Sequence, residues 1–96
     1  MQQRQFEFDP AKSESNFIKH GIGFADAQRL WGDPDLLVLP SGFPSEQRQL
    51  GIGLLEGMYW TAVFTERSGT VRLISIRRSR ARKREIYEKT KIRHDS

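Results

Sequence analysis

Residues 47–78 read QRQLGIGLLEGMYWTAVFTERSGTVRLISIRR, and this stretch decides the fold. Leu50, Ile52 and Leu54 alternate with Gly51 and Gly53, the two-residue period of a strand with one apolar face. Glu56-Gly57 and Ser68-Gly69 are turn pairs, so strands over 47–55, 58–67 and 70–78 fold back on one another as consecutive hairpins. Two side-chain-free positions on one sheet face predict a close approach there by a helix, a backbone or a ligand.

Upstream, Leu36-Leu37-Val38-Leu39 reads as a further strand stopped by Pro40, and a loop with glycine and proline covers 41–45. Phe24, Ala27, Leu30 and Trp31 share a helical stripe, which predicts a helix over about 24–31 ended by Gly32 and Asp33-Pro34. Asp9 is a good N-cap, Pro10 suits the first helical position and Gly21 the position after the last, giving a helix over 10–20. Gln5 to Phe8 alternates into a short strand with Phe6 and Phe8 on one face. Downstream, Arg80 to about Ile92 are good helix formers with few apolar positions, and the last few residues read as a disordered tail. The expected architecture is α+β in a single domain over 1–96: an antiparallel meander sheet, two N-terminal helices and a basic C-terminal helix, with the helices on one face. The aromatic stripe Phe17, Phe24, Trp31, Trp60 and Phe64 reads as core.

Composition narrows the chemistry. The chain has 96 residues, 36% hydrophobic and 29% charged, enough apolar matter for one small core. It contains no cysteine, which removes disulfides, thiolate nucleophiles and cysteine-bound zinc. With His20 and His94 the only histidines, a histidine-cluster metal site is excluded by counting. No apolar run is long enough for a signal peptide or a membrane span, so a cytoplasmic location is expected. The net charge of +4 conceals an asymmetry: residues 72–94 carry ten basic residues against Glu85 and Glu88, and the remainder is acidic on balance. Basic charge gathered at one end is the pattern of a protein that meets phosphates. A solvated, arginine-rich helix is the plain alternative.

Several of these residues fall in a recognisable order. Phe6-Glu7-Phe8-Asp9, then Lys12, Asn16 and Lys19-His20-Gly21, resembles the opening of the BrnT family. Thr65-Glu66-Arg67, Arg72-Leu73-Ile74-Ser75-Ile76-Arg77-Arg78 and Tyr87-Glu88 are similar to its second half, and Glu46 and Arg48 stand where the family tends to carry an E-x-R. The similarity covers about residues 6–88. It implies a RelE-like fold and a toxin of a type II toxin–antitoxin pair. Such a toxin is a ribonuclease that blocks translation, needs no cofactor, and is neutralised by a BrnA-type antitoxin with a ribbon-helix-helix part, through which alone it would meet DNA. Phe8 departs from the usual tryptophan. Arg80 and Lys83 stand where threonine and glutamate are usual, so the last helix lacks its N-terminal cap. Cations there oppose the helix dipole by about 0.3–1 kcal/mol each, which predicts a later start or a bound anion.

Metal-independent RNA cleavage needs a proton acceptor, a proton donor and cations around the phosphoryl transition state. Arg48, Arg67, Arg72, Arg77 and Arg78 lie on or near neighbouring strands, so one sheet face is expected to present several guanidinium groups. Arginine binds phosphate through a bidentate fork and stays charged, which suits transition-state stabilisation. Arg48, Glu66, Arg67, Arg77 and Arg78 are therefore the candidate catalytic set. Strand alternation sends Arg77 and Arg78 to opposite faces unless it ends at the helix junction. Glu66 and Glu46 are the candidate bases, or serve only to orient Arg67 and Arg48. His20 sits in the last turn of its helix, where a dipole role competes with acid–base work. Tyr87 either anchors the last helix to the sheet, stacks an RNA base or donates a proton, with the anchor role favoured by the helix's few apolar positions. Arg72, Arg80, Arg82, Lys83 and Arg84 are the candidate RNA-backbone ligands. A non-catalytic nucleic-acid-binding module and an antitoxin-binding relative without activity are the competing readings.

Overall fold

A computed structural model describes residues 4–42 and 47–95. The loop at 43–46, with Glu46, lies outside the described residues. Strands β2 (Leu37–Pro40), β3 (Gln49–Leu55), β4 (Met58–Arg67) and β5 (Thr70–Arg78) form the expected antiparallel meander. Strand β1 (Gln5–Glu7) corrects it to a mixed sheet: it pairs in parallel with Thr70–Arg72 of β5, giving the order β1-β5-β4-β3-β2. Alternation in Gln5–Phe8 defines a face but carries no information on direction or partner. The burial of Phe6 against Trp31, edge to face at 5.3 Å between ring centroids, holds β1 at that edge.

Helix α1 (Pro10–His20) has the expected ends, with Asp9 Oδ1 accepting from Ala11 N at 2.9 Å and Gly21 left-handed at φ 78°. The segment expected as one helix over 24–31 divides into α2 (Phe24–Ala27) and a tighter 3-10 turn, Gln28–Gly32. Leu30, Asp33 and Leu36 reach the sheet at Gly53, where an added Cβ would stand 3.1 Å from atoms of all three. The close approach expected from the glycines is thus that of the 3-10 turn and the residues after it.

The main core joins Phe24, Ala27 and Leu30 to Trp60, Ala62 and Phe64 of β4 and to Val71, Leu73 and Ile76 of β5. Phe17 is not in it. That side chain is 58% exposed, because α1 turns its Asn16 side to the sheet instead. The one buried residue of α1 is polar: Asn16 accepts from Ile76 N at 3.2 Å and donates to Ile76 O at 2.8 Å and Ile22 O at 2.9 Å. Its amide extends the β5 ladder past the short β1.

Helix α3 (Ala81–Asp95) starts without an acidic first turn and continues past Ile92, where the sequence pattern ended it. It lies on the sheet face opposite the main core, so the helices occupy both faces rather than one. Tyr87, fully buried, meets Tyr59 edge to face at 5.8 Å. Its hydroxyl donates to Asp33 Oδ2 at 2.7 Å, and Tyr59 donates to Glu88 at 2.6 Å. A helix with so few apolar positions is held by one aromatic anchor and two phenol–carboxylate bonds.

Candidate nucleic-acid interface

A register slip in β5 sets the site. Phe64 faces Leu73 but Val63 faces Ser75, leaving Ile74 as an extra residue. The bulge keeps Val71, Leu73 and Ile76 on the core face and turns Ser75 and Arg77 onto the other, beside Thr61 and Val63. Beyond Arg78 the chain is clamped by Ser79, whose N–H donates to Tyr59 O at 2.9 Å and whose hydroxyl pairs with that of Thr61 at 2.7 Å. Arg80 O then accepts from Lys83 N and Arg84 N, the first turn of α3.

These elements enclose a groove of about 420 Å³ with Leu50, Thr61, Val63 and Ser75 along it and Arg77, Arg80, Arg82 and Lys83 as its cations. Among the described residues no carboxylate lines it, and none of these four cations has an ion-pair partner. The positive end of the α3 dipole adds to the same field. A notch of about 380 Å³ adjoins the groove, lined by Lys19, His20, Arg77, Arg78 and Arg80, and shares Arg77 and Arg80 with it.

The other sequence-predicted residues lie elsewhere. Arg67 and Arg72 share the sheet face of Arg77, but at the β4–β5 hairpin end. Arg72 faces Thr65 and Arg77 faces Thr61, four residues apart on β4 or roughly 13 Å at ~3.3 Å per residue. The two positions therefore stand at opposite ends of that face. The hairpin end is also charge-balanced: Glu66 takes a 2.6 Å bond from Arg4, and Arg72 lies 3.6 Å from Glu7. Alternation persists to the end of β5, so Arg78 turns to the opposite face, its guanidinium 5.7 Å above the Trp60 ring. Arg48 is half-buried ahead of β3, and Arg84 is exposed on α3. Ser79 and Asn16, which position the cations, carried no chemical signal in the sequence; each is a small polar residue whose partner is a distant backbone or hydroxyl.

The two phenols on α3's side of the sheet are shifted in one direction. Hydrogen bonding to Glu88, followed by burial, raises Tyr59, while burial and then the bond to Asp33 raise Tyr87. Both stay protonated donors through neutral pH, as their structural bonds require. No cluster of three or more histidine, aspartate or glutamate side chains able to hold a metal ion occurs among the described residues. Among the described residues no helix is long and apolar enough to cross a membrane.

The family described as ribonuclease toxin, BrnT, of type II toxin–antitoxin system matches the chain over residues 8–85. No curated protein matches it.

Proposed function

Because the chain belongs to the BrnT family of ribonuclease toxins, we propose that it is a metal-independent endoribonuclease with a RelE-like arrangement of its sheet and helices. Its groove seats the RNA backbone on Arg77, Arg80, Arg82 and Lys83. The RNA's own 2′-hydroxyl displaces the 5′-oxygen, and loss of messenger RNA stops translation. The observation that carries this reading is the groove's charge: four cations and a helix N-terminus face one space, with no carboxylate there among the described residues. Arg67 and Arg72, at the charge-balanced end, would touch RNA farther along the same face.

The test is cleavage of a defined RNA in excess chelator. The rate is expected to stay within about twofold, and the products to carry 2′,3′-cyclic phosphate and 5′-hydroxyl ends, the outcome when the RNA supplies its own nucleophile. Loss of cleavage restored by magnesium would contradict the mechanism. Binding without cleavage under any condition would favour a nucleic-acid-binding module.

A type II toxin has an antitoxin partner, and we read it here as a BrnA-type ribbon-helix-helix protein that covers the basic surface with acidic side chains. Reversing Arg82 and Arg84 to glutamate is expected to weaken that complex about tenfold and to flatten its salt dependence, measured by calorimetry at two ionic strengths. An unchanged affinity would place the antitoxin on another surface.

A further inference from the structure

The notch beside the groove has features that tracking an RNA backbone does not require. Lys19 and His20 come from the last turn of α1, and Arg77, Arg78 and Arg80 from the end of β5 and the link to α3. Arg77 and Arg80 line both spaces, so a strand leaving the groove across these two guanidinium groups arrives at His20. All five side chains are exposed, and among the described residues none has a carboxylate partner.

The position of His20 is set by buried chemistry. Asn16, one turn earlier in α1, spends its amide on the N–H and C=O of Ile76, the residue immediately before Arg77. Most helices dock through apolar side chains, whose contacts tolerate sliding and rotation. Here α1 leaves Phe17 and Ile18 exposed and docks by directional bonds that fix its depth, register and rotation on β5. Gly21, left-handed and bonded to Phe17 O at 2.8 Å, ends the helix directly after His20. The turn of α1 that carries His20 is therefore held in register with the residue before Arg77.

The groove itself offers guanidinium, ammonium and hydroxyl groups, none of which is a ready proton acceptor near neutral pH. Imidazole is one. Resting on the ribonuclease reading above, we propose that the notch is a second phosphate subsite and that His20 is a catalytic residue in it. Its imidazole takes the 2′-hydroxyl proton of the nucleotide whose 3′-phosphodiester lies on Arg77 and Arg80. The 2′-oxygen bonds to phosphorus, the bond from phosphorus to the 5′-oxygen breaks, and the departing 5′-oxygen takes a proton from water.

The test compares the full chain with its His20→Gln variant. Single-turnover cleavage is followed from pH 5.5 to 8.5, and affinity is measured for the same RNA carrying 2′-O-methyl groups, which cannot be cleaved. Thermal melting confirms that the variant is folded. The expected result is a loss of roughly 10²–10⁴ in cleavage rate, the range of general base catalysis. Affinity is expected to stay within about threefold, and the rise of rate with pH seen in the parent to flatten. A variant that cleaves at the parental rate with the parental pH profile overturns the inference. So does a loss confined to RNA affinity, which leaves His20 a phosphate ligand only, or a loss confined to antitoxin binding, which gives the notch to the partner protein. A parent that leaves RNA intact overturns the ribonuclease reading itself, whereas an active parent beside an equally active His20→Gln overturns this inference alone.

Discussion

Arg77→Lys is expected to bind RNA almost as well as the parent and to cleave it roughly 10²–10³ more slowly, the scale of losing one preorganised donor. The charge survives the substitution. What goes is the planar fork that can hold two phosphate oxygens in a fixed orientation. The bulge at Ile74 aims Arg77 at the groove, and the register opposite Thr61 fixes its depth. A lysine at the same place presents a more mobile point charge. Arg82→Lys on the helix rim is expected to change neither quantity by more than about twofold, because backbone tracking needs charge more than geometry. Single-turnover rates set beside affinities for uncleavable RNA, at one salt concentration, separate the two effects. If Arg77→Lys cleaves at the parental rate, transition-state stabilisation moves to the groove's other arginine beside it, Arg80.

The second large effect is on stability. Asp33→Ala is expected to cost about 2–3 kcal/mol in urea unfolding, since it strands the hydroxyl of buried Tyr87 and two half-buried backbone N–H groups. Asp33 Oδ1 accepts from Asp35 N at 2.8 Å, and Oδ2 accepts from Leu54 N at 2.8 Å and from the Tyr87 hydroxyl at 2.7 Å. One carboxylate thus ties the loop before β2, the exposed end of β3 and the anchor of α3. Loss below 1 kcal/mol would show that water replaces it freely. The same network gives an alkaline limit. Tyr87 is raised above the ordinary phenol value of 10.0, chiefly by burial and then by its bond to Asp33. The folded chain therefore holds that proton more tightly than the unfolded one. The contribution is complete below about pH 10 and is lost as pH rises beyond it. Tyr87→Phe should lose less stability than the parent between neutral pH and pH 11.

The meander was legible because its signals are local. Glycine pairs at 56–57 and 68–69 and the alternation in Leu50–Leu54 need no knowledge of the remaining chain. The same holds for α1, whose Asp9, Pro10 and Gly21 act within one turn. What escaped depends on distant partners. Nothing in Gln5–Glu7 reveals that it runs parallel to β5, and nothing in α3 reveals which sheet face receives Tyr87. Phe17 was grouped with the core aromatics by residue type, but α1 turns Asn16 inward and leaves Phe17 exposed. For the site, residue types were a good guide to chemistry and a poor guide to assembly. Eight of the ten candidate positions divide between the hairpin end and a cationic β5–α3 end, with Arg48 and Arg84 in neither, and the bulge shows in the sequence only as the broken spacing Val71, Leu73, Ile76. His20 came to the arginines through Asn16, whose bonds span sixty positions of chain.

The most direct test of the account is backbone amide shift mapping of the 15N-labelled chain on titration with a short 2′-O-methyl RNA. The largest shifts are expected at Thr61, Ser75, Arg77 and residues 80–83, with His20 moving beside them. Shifts confined to the hairpin end, at Thr65, Arg67, Thr70 and Arg72, with the β5–α3 groove unmoved, would contradict it.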